Sequence, residues 1–140
     1  MAVVGKLYGM GYQSFFNATI DWVNNDIKVM LTRNYVPDQD LHYNETHITG
    51  EVVGTGYTAG GMLIPTRTVS YSSANKRIEL KGANVKWLNT TLEADHAIIY
   101  KDVGTSKILI AYVNFNQVVT TANEDFELVW SSFGVVTAGV

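Results

Sequence analysis

The chain contains no cysteine, which excludes a disulfide framework, a thiolate zinc site, an iron–sulfur cluster and a cysteine nucleophile, and leaves the redox compartment undecided. Proline is nearly absent as well, with only Pro37 and Pro65, and no Pro/Ser linker, fixed-period repeat or charge block divides the sequence. Asp, Glu, Lys and Arg make up 16% of residues, against roughly 25% in ordinary soluble domains, so much of the surface must be polar without being ionised. The 10 Lys and Arg are scattered and the net charge is −3, which excludes the clustered positive footprint of a nucleic-acid binder. The longest uninterrupted apolar run, Ile108–Val113, has six residues, far short of the roughly 20 needed to cross a bilayer. Met1 to Gly11 lacks a signal-peptide core. Neither a membrane partner nor classical secretion is expected.

What is present is β-forming sequence. At 140 residues the chain has the size of one domain, spanning 1–140, with enough interior to need no staple. Residues 1–16 read either as an extended arm reaching a neighbour or as an ordinary packed edge. Tyr12, Phe15, Phe16, Ile20 and Val23 fall at spacings of 3, 1, 4 and 3, which predicts a short helix that stops near Ala18. Ile27, Val29 and Leu31 alternate with Lys28, Met30 and Thr32, so residues 27 to 33 are expected as the first firm strand. Asn34 to Gly61 is a 28-residue connection, too long to be structureless in a compact domain, and a helical turn is expected within Leu41 to Thr46.

Beyond it, Val69/Tyr71, Ile78/Leu80, Val85/Trp87 and Phe126/Leu128/Trp130 each set apolar side chains at alternate positions. Turn clusters at Ser72–Asn75, Gly82–Asn84 and Asn123–Asp125 separate them. Leu92 to Tyr100 and Lys107 to Phe115 are longer strands joined by a hairpin connection at Lys101–Ser106. In the second, both alternating sets are apolar, which marks a central strand or one with a face against a partner subunit. The expected fold class is all-β: an antiparallel β-sandwich, jelly-roll or Ig-like, with a short N-terminal helix and a long glycine-rich loop.

Residues with chemical potential do not assemble into a known motif. Gly54 to Gly61 is glycine-rich, but no helix follows and no Gly-Lys-Ser/Thr ending is present, so a tight structural loop is preferred over a phosphate cradle. His42 and His47 are five apart with Asp38, Asp40 and Glu45 nearby. H-E-x-x-H is absent and Tyr43 stands where a calcium loop needs glycine, so a solvated acidic loop is preferred over a metal site. His96, beside Glu93 and Asp95, lacks a nucleophile elbow. Glu124, Asp125 and Glu127 supply no opposed carboxylate pair. The N-x-[ST] strings at Asn17, Asn44 and Asn89 matter only in a secretory pathway. Trp22, Trp87 and Trp130 read first as core and second as a sugar-stacking face. No enzyme activity, cofactor or metal is expected.

Ile20-Asp21-Trp22, Asp26–Leu31, Tyr35–His42 and Gly50–Val52 through Gly61, followed by Val85-Lys86-Trp87, Ala97–Asp102, Leu109–Val113 and Phe126–Trp130, resemble a family of small structural proteins from tailed-bacteriophage virions. The resemblance runs from about residue 7 to residue 137, and its most specific parts are the Asp-Trp pair and the glycine string. It implies a virion component, most simply a capsid cement or decoration protein. Such a protein stabilises the shell by binding between major capsid protein subunits, and is commonly a homo-oligomer, with a trimer favoured. A tail, neck or head-fibre module that binds a receptor or carbohydrate is the alternative. The residues expected to meet partners are Leu7, Tyr8, Tyr12, Phe15, Phe16, Tyr35 and Tyr57.

Overall fold

The computed structural model describes residues 2–140, and Met1 lies outside the described residues. Strands account for 53% of the chain and helices for 8%, so the fold is all-β. In chain order the elements are β1 (Ala2–Val3), β2 (Lys6–Leu7), α1 (Gly9–Phe16), β3 (Ile27–Thr32), a single 3-10 turn (Glu45–His47), β4 (Met62–Leu63), β5 (Thr68–Ser72), β6 (Arg77–Lys81), β7 (Val85–Asp102), β8 (Lys107–Trp130) and β9 (Val136–Gly139). The larger sheet runs β1-β8-β7-β3-β4 with β2 also on β8, and the smaller runs β5-β6-β9.

The larger sheet is organised by one long hairpin. β7 and β8 pair antiparallel from Asp102↔Lys107 out to Val85↔Leu128, where the sequence suggests separate strands at Val85/Trp87, Leu92–Tyr100, Lys107–Phe115 and Phe126–Trp130, the last two set apart by the turn cluster Asn123–Asp125. The difference lies in asparagine. Asn89, Asn116 and Asn123 adopt positive φ of 51°, 59° and 54°, a conformation asparagine tolerates better than most residues. They make bends and bulges inside the strands instead of turns between them. Around the register shifts, Thr90 Oγ1 bonds Thr121 Oγ1 at 2.7 Å and the Glu124 carbonyl at 2.8 Å, and the Asn89 N–H donates to Asp125 at 3.0 Å. Side chains thus carry hydrogen bonding where the ladder is interrupted.

Alternation along β3, β7 and β8 divides the interior in two. Ile27, Val29, Leu31, Ala97, Ile99 and Val113 face a core shared with Trp22, Leu80, Trp130 and Val136. Met30, Ile98, Tyr100 and Leu109 face a second cluster closed by Tyr8 and Tyr35, with Ile48 and Tyr112 at its margin. The apolar second face of the hairpin is therefore covered by this chain's own N-terminal segment and by the loop after β3, and it is not available to a partner subunit.

Residues 2–16 lie along the chain's own larger sheet. β1 pairs parallel with β8 through Ala2↔Val129 and Val3↔Trp130, and β2 pairs antiparallel through Lys6↔Tyr112 and Leu7↔Ala111. α1 starts three residues before Tyr12 and ends at Phe16, short of Ala18. Its early start was hidden by two glycines, which propensity discourages in a helix. At Gly11 an added Cβ would lie 2.6 Å from the Leu109 carbonyl, so glycine is what lets the helix lie flush on β8. The helix stops because Asn17 Oδ1 takes the Thr19 N–H at 3.1 Å and Ala18 turns to φ 64°.

The loop from Asn34 to Gly61 contains the expected helical turn, displaced to Glu45–His47 and capped by Asn44 Oδ1 on the Thr46 N–H at 3.1 Å. Further along, Arg67 turns inward and donates to the carbonyls of Trp22, Val23, Asn25 and Ile64, tying the connection before β3 and the end of β4 to the start of β5.

Candidate interaction surface

Four residues singled out from the sequence converge. Leu7, Tyr12, Phe15 and Phe16 line a groove of about 480 Å3 whose other walls are Ile20 and Trp22 and the β5–β6 side chains Val69, Ile78 and Leu80. Helical spacing on α1 puts Tyr12 and Phe16 on one face, their rings stacked at 5.3 Å between centroids. Phe16 is 80% exposed, an unusual state for phenylalanine. Trp22 floors the groove with its Nε1–H on the Lys81 carbonyl at 3.0 Å. Asp21 is the one charged residue in the lining, and its carboxylate is occupied by the Asn24 side chain at 2.8 Å and the Val23 and Asn24 N–H groups. The Asn24 side chain first, then the Asn24 N–H, hold its pKa below the usual carboxylate range. The groove is thus an apolar trough with one spent anion at its rim.

The other three expected contacts lie elsewhere. Tyr8 and Tyr35 are interior, at 0% and 2% exposed, and cannot meet a partner as expected. Tyr57 is half-buried. It donates to Glu51 at 2.7 Å and accepts the Leu31 N–H at 3.1 Å, fastening the glycine-rich loop to β3. Burial comes first among the causes that push its phenol up, as for Tyr8 and Tyr35. Val69 and Tyr71 are half-exposed and share the β5 face that, through Leu80 and Ile78 on β6, borders the groove; in the sequence they show only ordinary strand alternation. The signal that distinguishes them is their uncharged strand, Thr-Val-Ser-Tyr-Ser.

Tyr8 and Tyr35 do form a directed chain. The Asp38 N–H donates to His42 Nδ1 at 3.1 Å, which makes that nitrogen an acceptor in the neutral ring. Tyr35 then donates to the same nitrogen at 2.7 Å and Tyr8 to Tyr35 at 2.8 Å. The His47 ring stacks on His42 at 5.0 Å. Burial first, then neighbouring His47, hold the His42 pKa below its ordinary value against the opposing charge of Asp38. In the unfolded chain His42 takes up its proton near its ordinary pKa of about 6.5. Between that value and the lower folded one the unfolded state binds more protons, so stability is full above about pH 6.5 and is lost as pH falls. The urea midpoint is expected to drop between about pH 7 and pH 5, and the slope should flatten in His42→Gln. An unchanged slope in that variant would assign the effect to another group.

The remaining candidates for chemistry serve local structure. Asp38 Oδ1 accepts from the Asp40 and Leu41 N–H groups, and Glu45 accepts from the Lys107 N–H at 3.0 Å. Asp95 is bonded to His96 at 2.9 Å, to Arg33 at 3.1 Å and to the Asn34 N–H at 3.0 Å. Burial opposes its ionisation, but these partners outweigh it and its pKa lies below the usual range. Gly56, Gly60 and Gly61 take positive φ, as a structural loop requires. Among the described residues no group of three or more His, Asp or Glu is arranged to hold a metal ion. All three tryptophans are buried, with Trp130 the most exposed at 7%, so they form core and no stacking face. No helix of the described residues is long and apolar enough to cross a membrane.

Compared with known proteins, the chain matches no family model, no curated sequence and no solved structure.

Proposed function

We propose that this chain is a non-enzymatic structural component of a tailed-phage virion, a capsid cement or decoration protein that works as a homo-oligomer by burying surface between major capsid protein subunits. The observation that carries the reading is the uncovered apolar trough between α1 and β5–β6, with Phe16 standing 80% exposed at its mouth. Contiguous exposed apolar surface on a weakly charged protein is what a partner-binding surface requires. The virion assignment itself rests on the sequence resemblance from about residue 7 to residue 137. The two sheets share one core, which supports reading the fold as a small antiparallel sandwich in which the long bent hairpin does the work of a jelly-roll's paired arms.

The mechanism is linkage. A protein that binds assembled shell more tightly than free subunits stabilises the shell by the difference between the two affinities, and several weak contacts per oligomer add through avidity. Quantitative mass spectrometry of purified virions tests the reading by the copy number of this chain relative to the major capsid protein. A ratio near one to one is expected for a shell protein. A ratio lower by about an order of magnitude or more, too few copies for that multivalent lattice coverage, would overturn the shell assignment in favour of a tail, neck or fibre module. Absence from virions would remove both.

A further inference from the structure

Among the described residues the smaller sheet ends on β5, which pairs only with β6. Its register is Thr68↔Lys81, Val69↔Leu80, Ser70↔Glu79, Tyr71↔Ile78 and Ser72↔Arg77. The Leu80 carbonyl accepts the Val135 N–H, so Leu80 and Ile78 direct their backbone groups toward β9 and Arg77, Glu79 and Lys81 direct theirs toward β5. By antiparallel alternation, Thr68, Ser70 and Ser72 complete the ladder with β6, while the N–H and C=O groups of Val69 and Tyr71 point outward from the sheet. Natural edges are guarded by charge, proline, bulges or a covering segment. β5 has no charged residue and no proline, and its first four residues are exposed. Arg67, the adjoining charge, is committed to four carbonyls on the inside.

We propose that β5 is the edge through which two copies of this chain join, antiparallel about a two-fold axis at Ser70, into one continuous six-stranded sheet. The strand is self-complementary in that register. Val69 of each copy lies opposite Tyr71 of the other, and the two outward pairs exchange four backbone hydrogen bonds. On one face Ser70 meets Ser70 and Thr68 meets Ser72, so the charges of Arg77, Glu79 and Lys81 stay one strand away from the axis and no like charges oppose. On the other face Val69 and Tyr71 of both copies bring the two apolar troughs edge to edge. With Phe16, Tyr71 and Val69 at 80%, 53% and 49% exposed, these side chains offer on the order of 400 Å2 per copy. That is about half the roughly 800 Å2 per partner of a standard interface, to which the bare strand and its Ser/Thr row add. The inference rests on the trough being an interaction surface, though not on the virion location, and a two-fold pair takes the place of the trimer implied by the resemblance.

Sedimentation equilibrium of the purified chain is expected to give about twice the 15.5 kDa chain mass. The Val69 and Tyr71 amides should exchange roughly tenfold more slowly at high than at low protein concentration. Tyr71→Lys should halve the mass. Val69→Pro should do the same while leaving the β5–β6 ladder intact, because the N–H it deletes points away from β6. A monomer or trimer, or a dimer whose mass and amide protection ignore both substitutions, would overturn the pairing. The virion reading is judged separately by copy number, since a dimer absent from virions keeps the pairing and a monomer abundant in virions keeps the virion assignment.

Discussion

Gly61→Ala is expected to lose about 3 kcal/mol or more, a large share of the 5–15 kcal/mol that holds a typical domain. Gly61 has φ +76°, and a Cβ there would fall 1.8 Å from the Val29 carbonyl oxygen. No rotamer relieves a contact between two backbones. The loop must lift off β3, and the β3–β4 pairs Lys28↔Leu63 and Val29↔Met62 lie directly beyond it. Gly104→Ala provides the comparison, since Gly104 has a similar φ of +85° in the β7–β8 turn with nothing within 4 Å of the added carbon. It should cost about 1 kcal/mol, the left-handed backbone penalty alone. Urea denaturation of the two variants measures the difference, and equal costs would mean that the glycine-rich loop does not sit on β3.

Trp22→Ala is the second large loss, expected at about 3–5 kcal/mol for a buried aromatic whose neighbours cannot close the space. Trp22 joins the two sheets. Its indole is buried in the main core, its N–H bonds the Lys81 carbonyl at the end of β6, and its own carbonyl accepts from Arg67 at 2.7 Å. Trp22→Phe keeps most of the packing and strands the Lys81 carbonyl, so about 1–2 kcal/mol is expected. Thermal unfolding should rank the alanine variant well below the phenylalanine variant. Similar losses in the two would place the stabilisation in the hydrogen bond and not in the packing. Because Trp22 also floors the apolar trough, the alanine variant should weaken any partner that fills it.

Much of this architecture is legible in the residues, and where it is not the cause is specific. Ile27, Val29 and Leu31 announce β3 because burial on one face enforces a period of two. The β7–β8 hairpin is visible in its flanking apolar runs. Asn123 misleads because asparagine with positive φ serves a turn and a bulge equally well, and only the partner strand decides between them. The second core is hidden because Tyr35 and Ile48, which cover it, belong to a segment without periodicity. At the trough, helical spacing finds Tyr12, Phe15 and Phe16. Tyr8 escapes the same reasoning: a tyrosine whose hydroxyl finds a partner across the fold looks in sequence like one that faces solvent. Val69 and Tyr71 carry the alternation of a core strand, and their exposure follows from β5 being the last strand of its sheet.

The pairing of β1 and β2 has a consequence for how the chain folds. Ala2 and Val3 wait for Val129 and Trp130, Lys6 and Leu7 for Tyr112 and Ala111, and Gly5 for Val136. These are among the longest loops the chain can close, and their closure entropy must be met before any contact repays it. The β7–β8 hairpin, by contrast, grows from a tight turn with neighbours already in place. Folding should therefore begin at the β7–β8 turn and finish with the docking of β1 and β2, leaving Val3, Leu7 and Tyr8 in water until the last strands arrive.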